Sequence, residues 1–426
     1  MHRSLCIAAA LITGVGAGSV AAQPVNYTLQ TLIAIPPTSA NVQPGGGFTS
    51  FDIGYFDGLS RNYFLADRSN AAVDIISGST LAVIGQATGF TGQAATTSVS
   101  GPDGVVAFTS GGTTTLYAGD GNSTLKVFNV TNPAAPVPLG TLATGGSFRV
   151  DEMAYSPATH QLLAANNADS PAFATIFNAP PASAATIAKG NITVPGAAPG
   201  DGMEQPVWNP NTGSFFVSVP SFAGDAAGGV IEIKTDGSIG TKYSFASLGI
   251  GSCSSTGLAL GGSGNLMVGC GTRNTQTIVL NPTGSGSIVR TFAQLSGNDE
   301  IWYDPTSHNF FATGADASGR RVIDVISDGS GQILQSILLP VSSLSNPHSV
   351  AVDPLTGDIF VPLAGNTPTV GGNTACANGC VAVYAAAVPE PEVLSLMAGG
   401  LALLAGWGRR RARAKPSLLT VPAQAR

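Results

Sequence analysis

Acidic side chains recur at a spacing of about fifty residues in a chain that is otherwise poor in charge. Only 10% of its 426 residues are charged, against roughly 25% in an ordinary soluble domain. Carboxylates that converge repel one another unless a cation neutralises them, and oxygen ligands suit Ca²⁺ or Mg²⁺. The recurring set, which includes a threonine and a histidine, is Asp52, Asp103, Glu152, Glu204, Thr256, Glu300 and His348.

Ca²⁺ is the cofactor that this set indicates. Ligands from separate parts of a chain give an irregular geometry, which Ca²⁺ tolerates better than Mg²⁺ does. His348 would suit Zn²⁺ or Mn²⁺, but a single histidine beside carboxylates is a thin case for either ion. The alternative is a hydrated polar lining that holds no ligand. In the repeats that contain Glu204 and His348, the alignment can be shifted by one residue.

No known catalytic motif accompanies these residues. The sequence contains neither GxSxG nor HExxH, and its glycine-rich pieces Gly261–Gly264 and Gly284–Gly286 match no phosphate-binding loop. Hairpin turns explain those glycines better. A Ser-His-Asp triad needs a histidine as its base, and only His348 is available for that role, so the sequence gives weak support to a triad. We therefore predict no catalytic residues.

The elements that must position the polar set are seven similar apolar strands, spaced by roughly 44 to 53 residues. A period of this size indicates a β-propeller with one four-stranded blade per repeat. The 55 glycines and 28 prolines fit many short strands joined by turns. The predicted second strands of the blades are Asn62–Ala66, Thr115–Gly119, Gln161–Ala165, Ser214–Ser218, Asn265–Gly269, Asn309–Thr313 and Asp358–Pro362.

The turn before each second strand explains two histidines. Gly213 and Gly357 stand at a position where other copies carry His160 and His308. We predict a positive φ there, because glycine adopts it freely and histidine does so more readily than most residues. His160 and His308 are therefore interpreted as turn residues and not as ligands or bases.

The last repeat has no fourth strand of its own, because the chain passes from Ala385 into a Pro-Glu-Pro segment. The segment Leu29–Pro36 resembles Leu334–Pro340, the fourth strand of the sixth repeat. We predict that it closes the last blade and removes an open sheet edge. The fold class is thus all-β, a seven-bladed propeller over residues 27–386, with the recurring polar residues in a ring at its central channel.

The N-terminus reads as a secretory signal peptide over residues 1–22. Arg3 precedes the apolar stretch Leu5–Val20, and small residues precede a cleavage site at Gln23. Four cysteines remain after cleavage, and an even count in an exported chain favours disulfides. Of the three pairings we choose the near neighbours, Cys253–Cys270 and Cys376–Cys380.

The C-terminal segment 388–411 combines a Pro-Glu-Pro motif, an apolar run over Val393–Trp407 and an arginine cluster, before a basic and polar tail at 412–426. A helix of this run would be roughly 22 Å long, shorter than a bilayer core of about 30 Å. The arginines would hold the end of the segment in the cytoplasm. A plain C-terminal membrane anchor is the alternative. The motif residues are Pro389, Glu390 and Pro391, and the cluster contains Arg409, Arg410 and Arg411.

Two of these patterns resemble known families. The sequence NPHSVAVDPLTGDIFV at 346–361, followed by VAVY at 381–384, resembles the NHL and YVTN repeat propellers. The C-terminal segment resembles the PEP-CTERM sorting signal of Gram-negative bacteria, although the family usually lacks residues such as those beyond Lys415. That resemblance implies export through the inner membrane and processing by an exosortase-type membrane protease. The protein would then be released or attached outside the cell, often with exopolysaccharide.

Two functions are consistent with these features. The first is a binding or structural module of the cell surface or extracellular matrix, with exosortase and exopolysaccharide as partners. The alternative, which some related propellers suggest, is a metal-dependent lactonase or lyase that uses the channel ring. A net charge of −6, without a basic patch before the last twenty residues, argues against nucleic-acid binding. We expect a monomer.

Overall fold

Seven four-stranded antiparallel sheets make up the computed structural model, which describes residues 26–195, 202–222, 225, 227–271, 276–295, 297–340, 347–365 and 376–387. Each sheet is one blade, and its innermost strand lies beside the innermost strands of the two neighbouring blades. The last blade meets the first in the same way, which closes the ring. The predicted all-β, seven-bladed propeller is confirmed.

The strands are numbered in chain order, and each blade runs from its innermost to its outermost strand. Short 3-10 turns lie at Pro44–Gly46 and Thr97–Val99. Blade one is β2 (Phe51–Asp57), β3 (Asn62–Asp67), β4 (Ala72–Ser77) and β5 (Ala82–Thr88); blade two is β6 (Val105–Ser110), β7 (Thr113–Asp120), β8 (Thr124–Asn129) and β9 (Val137–Ala143); blade three is β10 (Met153–Ser156), β11 (Gln161–Asn166), β12 (Phe173–Asn178) and β13 (Thr186–Thr193). Blade four is β14 (Pro206–Asn209), β15 (Ser214–Val219), β16 (Gly229–Lys234) and β17 (Ile239–Ser244); blade five is β18 (Ser255–Leu260), β19 (Leu266–Cys270), β20 (Thr277–Asn281) and β21 (Ser287–Phe292). Blade six is β22 (Ile301–Asp304), β23 (Asn309–Ala315), β24 (Arg321–Ser327) and β25 (Ile333–Leu338); blade seven is β26 (Ala351–Val352), β27 (Ile359–Leu363), β28 (Cys380–Ala386) and β1 (Tyr27–Ala34).

The core lies between the blades. Apolar clusters fill the spaces between adjacent blades, because the second strands are buried on both faces. Phe56 and Tyr63 of blade one, for example, pack against Phe360 of blade seven with ring centroids 5.4 and 5.1 Å apart. Burial of apolar surface stabilises a fold by roughly 25 cal/mol per Å². The contacts between blades therefore stabilise the ring, which holds the innermost strands in place around the channel.

The turn prediction for the histidines is confirmed. His160 and His308 have φ values of 54° and 55°, in the same left-handed region as Gly213 and Gly357. Each histidine ring is also used locally, since its Nδ1 atom hydrogen-bonds the hydroxyl of the tyrosine five residues earlier, at 3.0 and 3.3 Å. A residue of positive φ precedes the second strand in every blade: Arg61, Gly112, His160, Gly213, Gly264, His308 and Gly357.

The N-terminal strand closes the last blade, as predicted. β1 pairs antiparallel with β28, from Tyr27 opposite Ala386 to Ala34 opposite Cys380. Gln335 of blade six accepts a hydrogen bond from the Tyr27 backbone NH (2.7 Å) and donates one to its carbonyl (3.0 Å). Closure therefore joins the two ends of the described chain and covers the edge of β28.

Both predicted disulfides are confirmed. Cys253–Cys270 links the approach to β18 with the end of β19 inside blade five, over a sequence separation of 17. Cys376–Cys380 precedes and enters β28, the strand that pairs with β1. The even cysteine count and the near-neighbour choice were thus sufficient to assign these bonds.

The two predicted sorting segments, 1–22 and 388–411, lie outside the described residues. This applies to the Pro-Glu-Pro motif at 389–391, to the apolar run and to the arginine cluster at 409–411. Within the ranges that the structure describes, there is no helix of sufficient length and hydrophobicity to span a bilayer.

Candidate functional site

The predicted polar residues gather at one end of the channel, where the innermost strands begin; we call this the upper end. Backbone hydrogen bonds join neighbouring strand starts, from the Glu300 NH to the His348 carbonyl (3.0 Å) and from the Ile53 NH to the Asp103 carbonyl (3.4 Å). Asp52 and Thr256 lie within their strands, and the others lie one to three residues before a strand: Asp103, Glu152, Glu204, Glu300 and His348.

The hairpins give the register of the repeat at this end. Glu152 and Glu300 each stand eight residues before the positive-φ residue of their blade. The same count in blades four and seven leads to Gln205 and Ser349, each one residue after the predicted Glu204 and His348. In blades four and seven, the structural equivalents of Glu152 and Glu300 are therefore the amide of Gln205 and the hydroxyl of Ser349. The hairpin register thus shifts the sequence alignment by one residue in these two blades.

Arg68 is the main cation on the side of blades one and two. It lies in the turn between β3 and β4 and is buried, and its guanidinium forms ion pairs with both Asp52 and Asp103. Its Nη1 atom also donates to the Phe51 carbonyl at 3.1 Å. On the other side of Asp52, the Nε2 atom of His348 lies 3.3 Å from Oδ1. Two of the predicted ligands, Asp52 and Asp103, are thus paired with cationic side chains of the protein.

A second arginine serves the third blade. Arg149 forms an ion pair with Asp151 at 2.6 Å, and its Nε atom donates to Asn167 Oδ1 at 3.2 Å. The amide of Asn167 in turn donates to Glu204 Oε2 at 3.2 Å. This chain of contacts reaches across from blade three to blade four. Neither Arg149 nor Asp151 belongs to the set predicted from the repeat.

The upper end contains more buried acid than its cations balance, and the pKa values diverge as a result. Burial alone would raise the pKa of Asp52, but Arg68 and His348 outweigh burial and hold that pKa below its usual range. Burial, followed by the surrounding carboxyls, raises the pKa of Glu152 well above its ordinary value. Burial also raises the pKa of Glu300 to about 8, although hydrogen bonds from the Ser349 hydroxyl and the Val350 backbone NH oppose this rise.

The remaining acids follow the same trend. Burial raises the pKa of Asp151 to about 6 against the opposing charge of Arg149. The pKa values of Glu204 and Asp299 are also raised, first by burial and then by other acids, among them Asp151 for Glu204 and Asp52 for Asp299. A raised pKa favours the protonated carboxyl, which can donate a hydrogen bond, whereas a cation that arrives beside it favours the ionised form.

Next to this acidic end, the channel widens into a cavity of about 380 Å³. Its walls come from the innermost strands of blades one to six and are rich in aromatic side chains. Tyr55 and Trp302 meet edge to face with ring centroids 5.3 Å apart. Small-molecule sites are typically about 300–1,000 Å³, mostly apolar, with a few convergent polar groups. The aromatic residues of the wall are Tyr55, Tyr155, Trp208, Trp302 and Tyr303.

Three polar side chains form the inner end of the cavity. Gln205 crosses from blade four: its Oε1 atom accepts from the backbone NH groups of Leu258 (2.5 Å) and Ile301 (3.0 Å) in blades five and six. Glu300 accepts from the Ser349 hydroxyl at 2.5 Å. Glu152 lines the same end, and its Oε2 atom has no hydrogen-bond partner among the described residues. The cavity thus ends on two carboxyls and an amide.

The predicted metal site is not assembled in the described part of the chain. There, no group of three or more histidine, cysteine, aspartate or glutamate side chains is arranged to hold an ion. Asp52 and Asp103 form ion pairs with Arg68. Glu204 and Glu300 instead repel Glu152 electrostatically. Binding of Ca²⁺ to these acids stays a prediction.

Sequence reasoning missed the two arginines and the aromatic wall. Arg68 and Arg149 lie in connecting segments outside the repeating strands, so no periodic signal marks them. A signal for the wall was present, because Tyr155, Trp208 and Tyr303 each occur three residues after Glu152, Gln205 and Glu300. That signal emerges only once blade four is aligned on Gln205.

Comparison with solved structures agrees with this description of the fold. The WD40 β-propeller domain of Doa1 superposes with a TM-score of 0.56 at 14% identity, over 86% of this chain and 98% of that one. A chain of the mitotic checkpoint complex gives 0.52 at 14% identity, over 90% and 98% of the two chains. Raptor from Chaetomium thermophilum gives 0.55 at 11% identity, over 85% of this chain and 30% of the other. At the level of sequence, no protein family and no curated protein matches. The chain is therefore a seven-bladed β-propeller with WD40-like structural neighbours, and these identities establish the fold alone.

Proposed function

We propose that this propeller is an exported, non-catalytic binding module whose ligand occupies the channel cavity. The observation that carries this proposal is the pairing of an aromatic wall with buried polar groups at the inner end of a cavity of about 380 Å³. Aromatic residues provide large contact areas at low entropic cost, and the polar groups would orient the ligand. His160 and His308 occupy turn positions, and each ring hydrogen-bonds a tyrosine of its own blade.

Exopolysaccharide is the partner that we propose for this cavity. The proposal rests on the resemblance of segment 388–411 to an exosortase sorting signal and on the resemblance of segment 346–361 to NHL and YVTN propellers. The aromatic wall supports it, because the C–H face of a sugar ring packs against the electron-rich face of an indole or phenol. The metal-dependent lactonase or lyase draws less support, since among the described residues no three histidine, cysteine, aspartate or glutamate side chains are arranged to hold an ion.

Loss of the aromatic wall is expected to weaken glycan binding. In a pull-down with isolated exopolysaccharide, Trp208→Leu and Trp302→Leu should each lower the affinity at least tenfold, the scale of a buried aromatic hot spot. Leu355→Ala is the matched control, because Leu355 is 69% exposed in the turn after β26 and lies outside the cavity. Melting curves must first show that the variants fold, since Trp302 also packs on the core. Equal binding by all folded variants would place the ligand elsewhere.

Sorting is tested by mass spectrometry of protein recovered from the medium or the cell surface. We expect an N-terminus near Gln23 and loss of the arginine cluster at 409–411, through cleavage near Pro389–Pro391. Deletion of the exosortase should leave the C-terminus intact and hold the protein at the membrane. A secreted protein that retains Arg411 in the presence of the protease would contradict exosortase-type processing.

A further inference from the structure

Glu152 has a buried oxygen that no described residue satisfies. Its side chain is 4% exposed and lines the cavity, and its Oε2 atom receives no hydrogen bond. Buried polar atoms in native proteins are almost always paired, because an unpaired one is costly in free energy. Because Glu152 lines the inner end of the cavity, a ligand bound there can supply the missing partner.

The charges around this oxygen identify the sign of that partner. The groups that act most strongly on Glu152 are all carboxyls. Arg68 and Arg149 are already paired with acids of blades one to three, and His348 faces Asp52. A positive charge placed at Glu152 would therefore reduce the repulsion among several acids. The other titratable groups that act electrostatically on Glu152 or Glu300 are Asp151, Glu204, Asp299 and His348.

The shape and lining of the cavity identify the kind of cation. A metal ion needs several oxygen ligands around it, whereas an ammonium group needs three acceptors and tolerates an aromatic wall. Cations within about 6 Å of a Trp or Tyr ring face are attracted to it, most strongly where water is excluded. Tyr55, Trp208 and Trp302 line the same cavity as the two carboxyls. The inner end can thus take an amine, and the aromatic wall can take the ring that carries it.

We infer that the cavity binds a hexosamine residue with a free amino group, with its ammonium held by Glu152 and Glu300 and its ring against Trp208 and Trp302. This inference rests on the proposed function, because it specifies which sugar of a glycan enters the cavity. Gln205 closes the inner end behind the sugar through its bonds to blades five and six.

Binding of the amine should release a proton. Burial and neighbouring acids raise the pKa of Glu152 well above its ordinary value, which favours the protonated carboxyl in the empty site. The ammonium favours the ionised carboxylate, which expels that proton. Packing of a sugar on an aromatic wall would not move a proton, and therefore proton release distinguishes the two modes of binding.

The test is calorimetry at pH 6.5 with three matched sugars: glucosamine, N-acetylglucosamine and glucose. We expect glucosamine to bind about tenfold more tightly than the other two, the scale of one charge-assisted hydrogen bond. Titrations in two buffers of different ionisation enthalpy should show proton release with glucosamine only. Glu152→Gln keeps the size of the side chain and should abolish both the preference and the proton release. Glu232→Gln, the same change on β16 away from the cavity, should preserve both.

The outcomes separate the inference from the proposed function. Equal affinity of the wild-type protein for glucosamine and N-acetylglucosamine would overturn the amine inference and leave a glycan-binding cavity. Binding of exopolysaccharide without binding of glucosamine would have the same meaning. Failure of all sugars and of the polysaccharide would overturn both. Stabilisation by CaCl₂ with none by glucosamine would assign the acids to a metal ion instead. The comparison on the wild-type protein keeps the test decisive even if Glu152→Gln does not fold.

Discussion

A chain that lacks Tyr27–Ala34 should no longer unfold cooperatively. This segment is β1, and it contributes the outermost strand of blade seven through seven residue pairs with β28. Its removal would expose the edge of β28 and uncover the cluster between blades six and seven, to which Tyr27 belongs. An open propeller loses the contact that fixes its first blade against its last. We expect a broad melting transition, dye binding by exposed apolar surface, and aggregation.

A permuted chain provides the matched control. Ala386 pairs with Tyr27, and the Ala387 NH donates to the Asn26 carbonyl at 2.7 Å, so β28 and β1 are already placed as the arms of a hairpin. Transfer of residues 26–36 to follow Ala387, through an Asn-Gly turn, should restore a sharp transition because the same strand fills the same place. If the truncated chain melts as the intact one does, β1 is dispensable and closure depends on the other contacts between blades.

Closure was predictable because it depends on local sequence. The strand at Leu29–Pro36 resembles another outermost strand, and a repeat with a missing strand has one place for it. The same holds for His160 and His308, whose place in the repeat is shared with glycine and whose φ values are positive. A position that recurs once per blade keeps the same backbone conformation, and this single sequence shows which residues occupy that position in seven blades.

The site was predictable only in part, because its contacts join residues at the start of the innermost strands to residues at other positions in the repeat. Asp52, Asp103 and Glu152 were found from their spacing, yet their states depend on Arg68 and Arg149, which come from connections between strands. Gln205 was hidden beside Glu204 until the hairpins gave the register. Which acid faces an arginine and which faces the cavity is decided by the packing of loops over the channel, and no periodic pattern encodes that packing.

Replacement of Asp74 by Asn should stabilise the propeller at alkaline pH. Asp67 and Asp74 lie on the paired strands β3 and β4 and are fully buried, and each is close enough to shift the pKa of the other. A proton on one of the two carboxyls would remove their mutual repulsion and let them share a hydrogen bond. Burial raises the pKa of Asp67 to about 7 and that of Asp74 well above its usual range, and the charge of Asp67 adds to the rise at Asp74.

Stability should therefore fall as the pH rises. Both acids ionise near 3.8 in the unfolded chain. Above that pH, the unfolded chain has lost protons that the folded pair keeps, so the free energy of unfolding decreases by about 1.4 kcal/mol per pH unit for each retained proton. The decrease continues from about pH 4 through pH 7 and stops once the folded pair is ionised. Glu300, whose folded pKa is about 8, adds a decrease of the same sign.

Asparagine reproduces the protonated state of Asp74 without the proton. Its oxygen can accept from Gln86 Nε2, as Asp74 Oδ1 does at 2.7 Å, and its amide can donate to Asp67. At pH 8 the melting temperature of Asp74→Asn should exceed that of the wild type by several degrees, at about 2 °C for each kcal/mol, and the two should converge near pH 4.

Asp74→Ala is the contrasting variant, because it removes one of the two acceptors of Gln86 Nε2, leaving only the Pro36 carbonyl at 3.0 Å, and creates a cavity beside Asp67. It should melt below the wild type at both pH values. The pair also bears on the channel, since Asp67 accepts two hydrogen bonds from Asn70, the backbone NH at 3.0 Å and Nδ2 at 2.7 Å, which fix the turn that carries Arg68 to Asp52 and Asp103. If Asp74→Asn melts below the wild type at pH 8, the pair does not share a proton, and a cation must neutralise it in the folded protein.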